Sequence, residues 1–364
     1  MKFAVNSTVL KDAVAKVAAV IPAKSPIEIL EFIKLTESAG TLFIVGTDLE
    51  MSVQTEVIIQ GENDGTVCVR SSELFNLLKS LPSVEVSVEE MGGKLRFQTP
   101  KGKYHIPTMS IDQFPEVSFE PALGEYREVE GNTFKKYLNA VAYAMTPPGN
   151  FEPAREGVFV ELGKESGFTA LEQARLTHEP APELLSTTGQ TAAIILPYKA
   201  VDYLIKNLPD DEVEFSFDAA KFVLTTEKFA FNTRLIDAQY PKYQMVIPKE
   251  SNHNIVVDRE ALLSAVRRAS LFTSKEVSKV ALVVSEKCVQ VVANSTDRNG
   301  VENVECSYGG KGISFAVDVH YLIDALSHFA TEEVILELEN EKKPLMIFPE
   351  KGKGFALIAA MTVD

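Results

Sequence analysis

The chain has 364 residues, 45% of them hydrophobic and 24% charged, with a net charge of −15 and three cysteines. This length predicts two or three globular domains, and no apolar run approaches the ~20 residues that a membrane-spanning helix needs. The start of the chain lacks a secretory pattern, and an odd number of cysteines without paired spacing indicates a reducing cytoplasm and disfavours a disulfide framework or a zinc site. The excess of acidic groups argues against a nucleic-acid partner unless basic groups are concentrated on one surface.

The first third of the chain predicts two helices followed by antiparallel strands. Apolar residues recur at helical spacing over 6–21, behind the capping residue Asn6, and a leucine stripe marks a second helix over 71–81. Alternating apolar and polar residues predict strands at Leu49–Val57 and Val84–Val88. A further strand pair over 94–107, joined by a short charged turn, completes this set.

The middle and last thirds predict the same elements in the same order. The first helices of the three thirds begin near Ser7, Asn132 and Asp258, at intervals of 125 and 126 residues, and Asn132 and Asp258 are the expected capping residues of the second and third. The remaining predicted elements are helices over 131–146, 197–208, 258–275 and 318–330, strands at Val213–Phe217 and Val334–Leu338, and strand pairs over 222–235 and 345–359.

The chain is therefore predicted to be α+β, with three tandem copies of one unit in which two helices pack on antiparallel sheets. The expected domain boundaries are 1–121, 122–248 and 249–364. Three unrelated α+β domains of similar length are the alternative, which the shared order and spacing of the elements disfavour.

Positive charge is concentrated on the first helix of each copy, although the chain as a whole is acidic. Lys11, Lys136, Arg267 and Arg268 lie off the apolar stripes of these helices, so we expect them to face solvent. Basic residues at equivalent places in three copies suggest an anionic partner contacted through phosphates, without sequence specificity. The alternative is that lysine and arginine are simply good helix formers on exposed faces.

No residue pattern indicates catalysis. The chain contains neither a G-x-S-x-G elbow nor an H-E-x-x-H metal motif, and its glycine-lysine pairs lack the spacing of a phosphate-binding loop. Asp48 and Glu50 are expected on one face of a strand with a structural role, and His320 and His328 lie too far apart on one helix to chelate an ion. An enzyme is therefore disfavoured, and we expect no cofactor and no metal.

Several phrases resemble one known family. Met1–Val5 (MKFAV), Gly46–Met51 (GTDLEM), the pair Phe114-Pro115 and Arg234–Tyr243 (RLIDAQYPKY) are similar to the bacterial DNA polymerase III beta subunits, the beta sliding clamps. The resemblance covers the whole chain. It implies the DNA-clamp fold in each copy and a head-to-tail homodimer, a ring of six domains around double-stranded DNA. It also implies a processivity factor without catalytic activity, which tethers clients through a peptide groove between domains 2 and 3.

The partners that this resemblance implies are double-stranded DNA, a replicative DNA polymerase, an ATP-dependent clamp loader and other proteins with a clamp-binding motif. It adds Lys24 and Lys199 to the DNA-facing residues. For the dimer interface it implies Leu77, Tyr104, Ile106, Leu271 and Phe272. For the client-peptide groove it implies Leu171, Arg175, Leu176, Pro241, Met245, Val246, Asp318, Tyr321, Pro344, Ile358, Ala359, Ala360, Met361 and Thr362.

Two segments depart from the family pattern, and both border the implied groove. The family usually has Asp, a small residue and His before Arg-Leu, whereas this chain has Leu171–Leu176 (LEQARL). The usual C-terminal Pro-x-Arg phrase is replaced by 360–363 (AMTV), followed by Asp364. The alternatives are therefore a second-copy or mobile-element clamp with altered client preference, and a three-domain peptide-binding adaptor that does not encircle DNA.

Overall fold

A computed structural model of the protein describes residues 1–122, 125–149, 152–163, 165–184, 191–274, 276–349 and 354–362. Six α-helices and twenty-five β-strands lie within this part of the chain. Two helices fall in each third, as the sequence predicts. They are α1 (Ser7–Ala18), α2 (Ser71–Ser80), α3 (Gly131–Ala142), α4 (Tyr198–Asn207), α5 (Arg259–Ser270) and α6 (Val319–His328).

The strands follow one plan in all three thirds. The first third contains β1 (Lys2–Asn6), β2 (Phe32–Ser38), β3 (Thr41–Thr47), β4 (Met51–Ile58), β5 (Gln60–Asn63), β6 (Gly65–Arg70), β7 (Glu85–Glu90), β8 (Lys94–Gln98) and β9 (Lys103–Met109). The middle third contains β10 (Glu125–Glu130), β11 (Gly157–Leu162), β12 (Gly167–Glu172), β13 (Arg175–Pro180), β14 (Ala192–Pro197), β15 (Glu212–Phe217), β16 (Lys221–Thr225) and β17 (Phe229–Arg234).

The last third contains β18 (His253–Asp258), β19 (Lys279–Ser285), β20 (Cys288–Asn294), β21 (Asn299–Ser307), β22 (Ile313–Asp318), β23 (Glu333–Leu338), β24 (Leu345–Phe348) and β25 (Phe355–Ile358). The turn predicted between β24 and β25 falls largely on 350–353, outside the described residues. Each third thus has a strand and a helix, then four or five strands, then a second helix and three strands. The prediction of three tandem copies is confirmed.

Side-chain caps explain where several helices begin. Asn6 Oδ1 accepts from the Thr8 amide at 2.9 Å before α1, and Asp258 Oδ1 accepts from the Ala261 amide at 2.6 Å before α5. Such caps satisfy backbone donors that have no partner inside the helix. The expected cap at Asn132 is wrong, because α3 already begins at Gly131. The Cβ of any larger residue at Gly131 would collide with the Pro209 carbonyl, which explains the glycine there.

Asp48 and Glu50 do not lie on a strand, contrary to the prediction. Strand β4 begins only at Met51, and Leu49 adopts a positive φ of 75° in the turn that precedes it. The Asp48 carboxylate closes this turn by accepting from the Glu50 and Met51 amides at 3.0 and 2.7 Å. Aspartate side chains commonly stabilise turns in this way, which accounts for the residue without any chemical role.

The chain divides into two compact units that do not coincide with the three copies. Unit 1 comprises 1–133 and 202–235, and unit 2 comprises 134–201 and 236–364. Each unit contains one continuous antiparallel sheet over its described residues. The strand order is β10-β15-β16-β17-β4-β3-β2-β6-β9-β8-β7-β1-β5 in unit 1 and β14-β11-β12-β13-β25-β24-β23-β18-β21-β20-β19-β22 in unit 2. The middle copy therefore contributes strands to both sheets.

The copies are joined by one strand pair within each unit. In unit 1, β4 pairs with β17, with Met51 opposite Thr233. In unit 2, β13 pairs with β25, with Arg175 opposite Ile358. We call these pairs the first and the second internal junction. They show that neighbouring copies associate edge to edge.

Helices cover one face of each sheet and bury the core. In unit 1, α1 packs on α2, β3 and β4, with Leu10, Val14 and Val17 buried. In unit 2, α5 packs on α6 and β21 and buries residues such as Leu262 and Val266. The apolar stripes read from the sequence are therefore the faces that leave water on folding. Within the described residues, none of the helices is long and apolar enough to span a membrane.

Candidate functional site

Arg175 lies at the centre of a polar cluster in unit 2. Its side chain is only 13% exposed, and Nε lies 2.7 Å from Glu172 Oε2 across the turn that precedes β13. Nη1 donates to Asp324 Oδ2 of α6 at 2.5 Å. The guanidinium also lies over the rings of Tyr321 and Tyr143, 4.6 and 5.8 Å from their centroids. One cation is thus shared by two carboxylates and two aromatic faces, which links the second copy to the third.

Tyr143 fixes the other side of this cluster. Its ring stacks on His328 of α6 with 4.2 Å between centroids, and its hydroxyl accepts from Thr177 Oγ1 at 2.7 Å. Burial raises the pKa of Tyr143 to about 12, so the phenol stays neutral at physiological pH. The cluster therefore holds β13 against α6 through packing and hydrogen bonds as well as ion pairs.

Tyr321 stands at the start of α6, next to a helix cap. The Asp318 carboxylate accepts from the amides of His320 and Tyr321 at 2.8 and 3.2 Å. Burial raises the pKa of Tyr321, and the nearby Glu172 carboxylate raises it further. The partly buried phenol is therefore a neutral group that can pack against an apolar ligand and donate one hydrogen bond.

The C-terminal segment crosses this region of unit 2. The Ala359 amide donates to the Ala174 carbonyl at 2.8 Å, and the Met361 amide donates to the Ala316 carbonyl of β22 at 2.8 Å. Lys279 Nζ donates to the Thr362 carbonyl at 3.0 Å. The segment is held by its backbone, which leaves the half-exposed Ala360 and Met361 side chains free to line a surface. Val363 and Asp364 lie outside the described residues.

The apolar residues expected in the groove divide into two groups. Met245 and Val246 are 81% and 50% exposed at the end of a short 3-10 helix, and Leu171, Pro241 and Pro344 are partly exposed. Leu176 and Ile358 are instead buried at 0% and 1%. These two were expected to contact a ligand, but they point into the core because each lies on a central strand whose side chains alternate between faces. In this structure neither side chain is accessible to a ligand.

The predicted basic residues are at least partly exposed. Lys11 on α1 lies 3.3 Å from Asp12, and Lys24 follows α1 in an exposed loop. In unit 2, Lys136 on α3 and Lys199 on α4 are exposed. The charged ends of these side chains are thus accessible to an anionic partner in each unit.

Arg267 and Arg268 on α5 differ in their surroundings. Arg267 Nη2 makes one hydrogen bond to Ser327 Oγ at 3.2 Å. Arg268 makes a bidentate pair with Glu302 of β21, with both N–O distances at 2.8 Å. Sequence reasoning missed Glu302, which offsets one of the expected DNA-facing charges. The pattern of polar and apolar residues along β21 does not identify Arg268 as a partner of Glu302.

Apart from β5, β10, β14 and β22, which lie at the ends of the two sheets, strands β9 and β21 of the described chain each leave part of one edge without a strand neighbour. Residues 103–107 of β9 pair with β8 alone, because β6 pairs only with Thr108 and Met109. Residues 299–305 of β21 pair with β20 alone, because β18 pairs only with the last two residues of that strand. Exposed backbone donors and acceptors at such edges favour pairing with another chain.

Of the residues expected at a dimer interface, Tyr104 and Ile106 lie on β9, and Leu271 and Phe272 directly follow α5, which packs on β21. Leu271 is 68% exposed, Tyr104 39% and Phe272 36%, whereas Leu77 is half-buried. Ile106, at 6%, is buried within its own unit and presents little surface. A ring covers a glycine on each edge: Tyr104 folds over Gly102, and Phe272 folds over Gly300. In both places a Cβ on the glycine would collide with the ring.

No group of three or more His, Cys, Asp or Glu side chains among the described residues could hold a metal ion.

Three family models match the chain in order. The N-terminal domain of the DNA polymerase III beta subunit matches residues 1–118, the central domain 128–242 and the C-terminal domain 244–361. The chain belongs to the DNA polymerase III beta subunit family.

Curated relatives and solved structures agree with this family over its full length. The chain is 24% identical to the beta sliding clamp of Salmonella typhimurium and 23% identical to that of Escherichia coli K12, covering 98% of each chain. Its fold matches the beta subunits of Pseudomonas aeruginosa (TM-score 0.93, 22% identity) and Streptococcus pyogenes (TM-score 0.94, 20% identity), covering 100% of each chain. The expected family and three-domain clamp fold are therefore confirmed.

Proposed function

We propose that this protein is a sliding clamp, a non-catalytic processivity factor that closes around double-stranded DNA as a head-to-tail homodimer. Family membership supports this function. The observation that carries the proposal is the pair of edges on β9 and β21. Both strand pairings between copies in the described chain, β4 with β17 and β13 with β25, join these same two kinds of strand. A second protomer is the partner that supplies the missing neighbours.

Equivalent residues of the three copies can be identified from their hairpins. Leu95 pairs with Ile106 in the first copy, Phe222 with Thr233 in the second and Leu345 with Ile358 in the third. In each pair the first residue is buried. Ile106, Thr233 and Ile358 therefore occupy one equivalent position.

The facing strands align in the same way. Thr47 pairs with Ser52 across the turn in the first copy, Leu171 with Leu176 in the second and Asn294 with Asn299 in the third. Met51, Arg175 and Arg298, each one residue before the second member of its pair, are therefore equivalent.

Both internal junctions then predict one register for the dimer. Met51 faces Thr233 and Arg175 faces Ile358, so Arg298 of one protomer should face Ile106 of its partner. Two residues beyond Arg298, Gly300 should face Tyr104 of the partner. After two more residues, Glu302 should face Gly102. The charges are complementary, since Lys101 and Lys103 flank Gly102 while β21 carries Glu302 and Glu305. A head-to-tail contact of this kind closes a ring when the rotations sum to a full turn.

The DNA-facing role rests on the exposed basic residues of the helices. Lys11, Lys24, Lys136, Lys199 and Arg267 can contact phosphates without reading bases, which suits a protein that must slide. A test uses the protein loaded onto nicked circular DNA by an ATP-dependent clamp loader. We expect the protein to stay on the circle and to be lost when the circle is cut. Equal retention on circular and linear DNA would refute encirclement.

The same experiment needs a check of assembly, because an adaptor could bind DNA-bound partners without encircling DNA. We expect a native mass of about twice the 40.0 kDa of one chain. A monomer at every concentration would favour the adaptor.

We also propose that the Arg175 cluster, the C-terminal segment and the exposed Met245 and Val246 form a groove for client peptides. Such a groove would anchor apolar side chains of a replicative polymerase, the clamp loader and other proteins with a clamp-binding motif. Tyr321→Ala and Met361→Asp should each weaken binding of a polymerase-derived peptide at least tenfold, measured by fluorescence anisotropy, and leave the dimer intact. Unchanged peptide affinity in both variants would place the binding site elsewhere.

A further inference from the structure

Glu302 can serve two alternative partners. In the isolated protomer its two carboxylate oxygens accept from Nε and Nη2 of Arg268, at 2.8 Å each. Arg268 is exposed and lies on the basic helix α5, whereas Glu302 is partly exposed. Under the proposed dimer register the same carboxylate comes to lie opposite Gly102 of a second copy, with Lys101 and Lys103 on either side.

The second internal junction shows how a glutamate behaves at this position when its neighbour is present. The hairpin alignments make Glu179 of β13 equivalent to Glu302, and Gly354 equivalent to Gly102. The Glu179 carboxylate extends across the junction, since a Cβ on Gly354 would collide with it. On helix α3 the residue equivalent to Arg268 is Ala140, which carries no charge.

We infer that Glu302 exchanges partners when the ring closes: it leaves Arg268 of its own chain and pairs with the basic β8–β9 hairpin of a second copy. Arg268 is thereby released toward the face of α5 that carries Arg267. Ring closure and the full positive charge of α5 then depend on each other. This inference rests on the proposed head-to-tail dimer and adds to it that the free protomer masks one of its own DNA-facing charges.

The exchange makes a prediction with an unusual sign. Because Arg268 competes with the partner for Glu302, Arg268→Gln should tighten the dimer, even though it makes an acidic chain more acidic. Exposed ion pairs are weak, but the proposed ring contains two such junctions, so the dissociation constant of the dimer should fall by about 2- to 30-fold. Arg267→Gln is the matched control, because it removes the same charge from the same helix without touching Glu302. It should leave the dimer unchanged or weaken it.

The measurement is dimer dissociation by sedimentation velocity, or by subunit exchange of labelled full-length chains, without DNA. Glu302→Gln should weaken the dimer, and Lys101→Gln with Lys103→Gln should remove the gain from Arg268→Gln. If Arg268→Gln fails to tighten the dimer relative to Arg267→Gln, the exchange is refuted while the ring still stands. A wild-type chain that is monomeric at every concentration would instead refute the ring itself.

Discussion

Replacing Arg175 with methionine should loosen the contact between the second and third copies within unit 2. The substitution keeps an unbranched apolar stem but leaves Glu172 and Asp324 without their shared cation. Removing one partner of a buried ion pair typically costs ~3–5 kcal/mol. The Asp324 side chain is 43% exposed, so water recovers part of that loss, whereas the lost contact with the Tyr321 ring adds about 1 kcal/mol. We therefore expect a cost of about 3 kcal/mol.

Hydrogen exchange is the suitable assay, because a chain of several domains need not unfold in one step. A loss of about 3 kcal/mol should lower the protection of the β13 and α6 amides roughly a hundredfold if they exchange through opening of this contact. Arg155→Met is the matched control. Arg155 Nε lies 2.6 Å from Glu152 Oε2, whose side chain is 57% exposed, so this change should cost no more than about 1 kcal/mol.

Equal protection in Arg175→Met and Arg155→Met would show that the Arg175 cluster does not hold the two copies together. A second variant separates the missing cation from the stranded carboxylate. Arg175→Met combined with Asp324→Leu should recover part of the lost protection, because an apolar residue at 324 leaves no unpaired charge there.

Two further predictions concern charge. Burial lowers the pKa of His178 to about 4. As the pH falls through ~6.5, this histidine is therefore protonated in the unfolded chain but stays neutral in the folded chain. The free energy of unfolding of unit 2, measured with urea, should therefore fall by about 2 kcal/mol more between pH 7 and pH 5 in the wild type than in His178→Gln. Parallel pH profiles for the two proteins would contradict this. Lys136→Glu should weaken binding to duplex DNA and reduce the slope of log affinity against log salt by about 1, whereas Lys342→Glu, in an exposed turn, should not; equal slopes would exclude Lys136 from phosphate contact.

Local patterns in the sequence predicted all six helices to within about five residues, but only ten of the twenty-five described strands; most strands between the two helices of each copy were not predicted. Asp258 was predicted as a cap because its side chain acts on the amide three residues later, a purely local event. Leu49 was wrongly assigned to a strand, because the apolar alternation continues through the turn. Its positive φ is usually found at glycine, so a leucine at this position gave no indication of a turn. The alternation also could not show that the Leu176 side chain is fully buried, because the same pattern occurs in strands whose second face is exposed to water.

Contacts between residues that are distant in sequence could not be predicted from local patterns. The resemblance placed Arg175 and Tyr321 in one groove, but it gave no reason to add Asp324 or Tyr143. Both lie far from Arg175 in sequence, and neither belongs to a recognisable motif. Asp324 could have been suspected, because it follows Tyr321 by three residues and therefore lies on the same face of α6.

The differences among the three copies carry more functional information than their likeness. Thr55, Glu179 and Glu302 are equivalent, yet Thr55 Oγ1 donates to the Ala13 carbonyl of α1 at 3.4 Å, while Glu179 crosses the second junction. Only the copy whose neighbour must come from another chain combines a glutamate on the strand with an arginine on the helix behind it. A permanent junction needs no substitute partner for its carboxylate, whereas one that opens for loading gains from a partner that keeps the exposed edge paired. Under the proposed dimer, the Arg268–Glu302 pair belongs to the one junction that opens, and the lack of an equivalent arginine–glutamate combination at both internal junctions follows from the same reasoning.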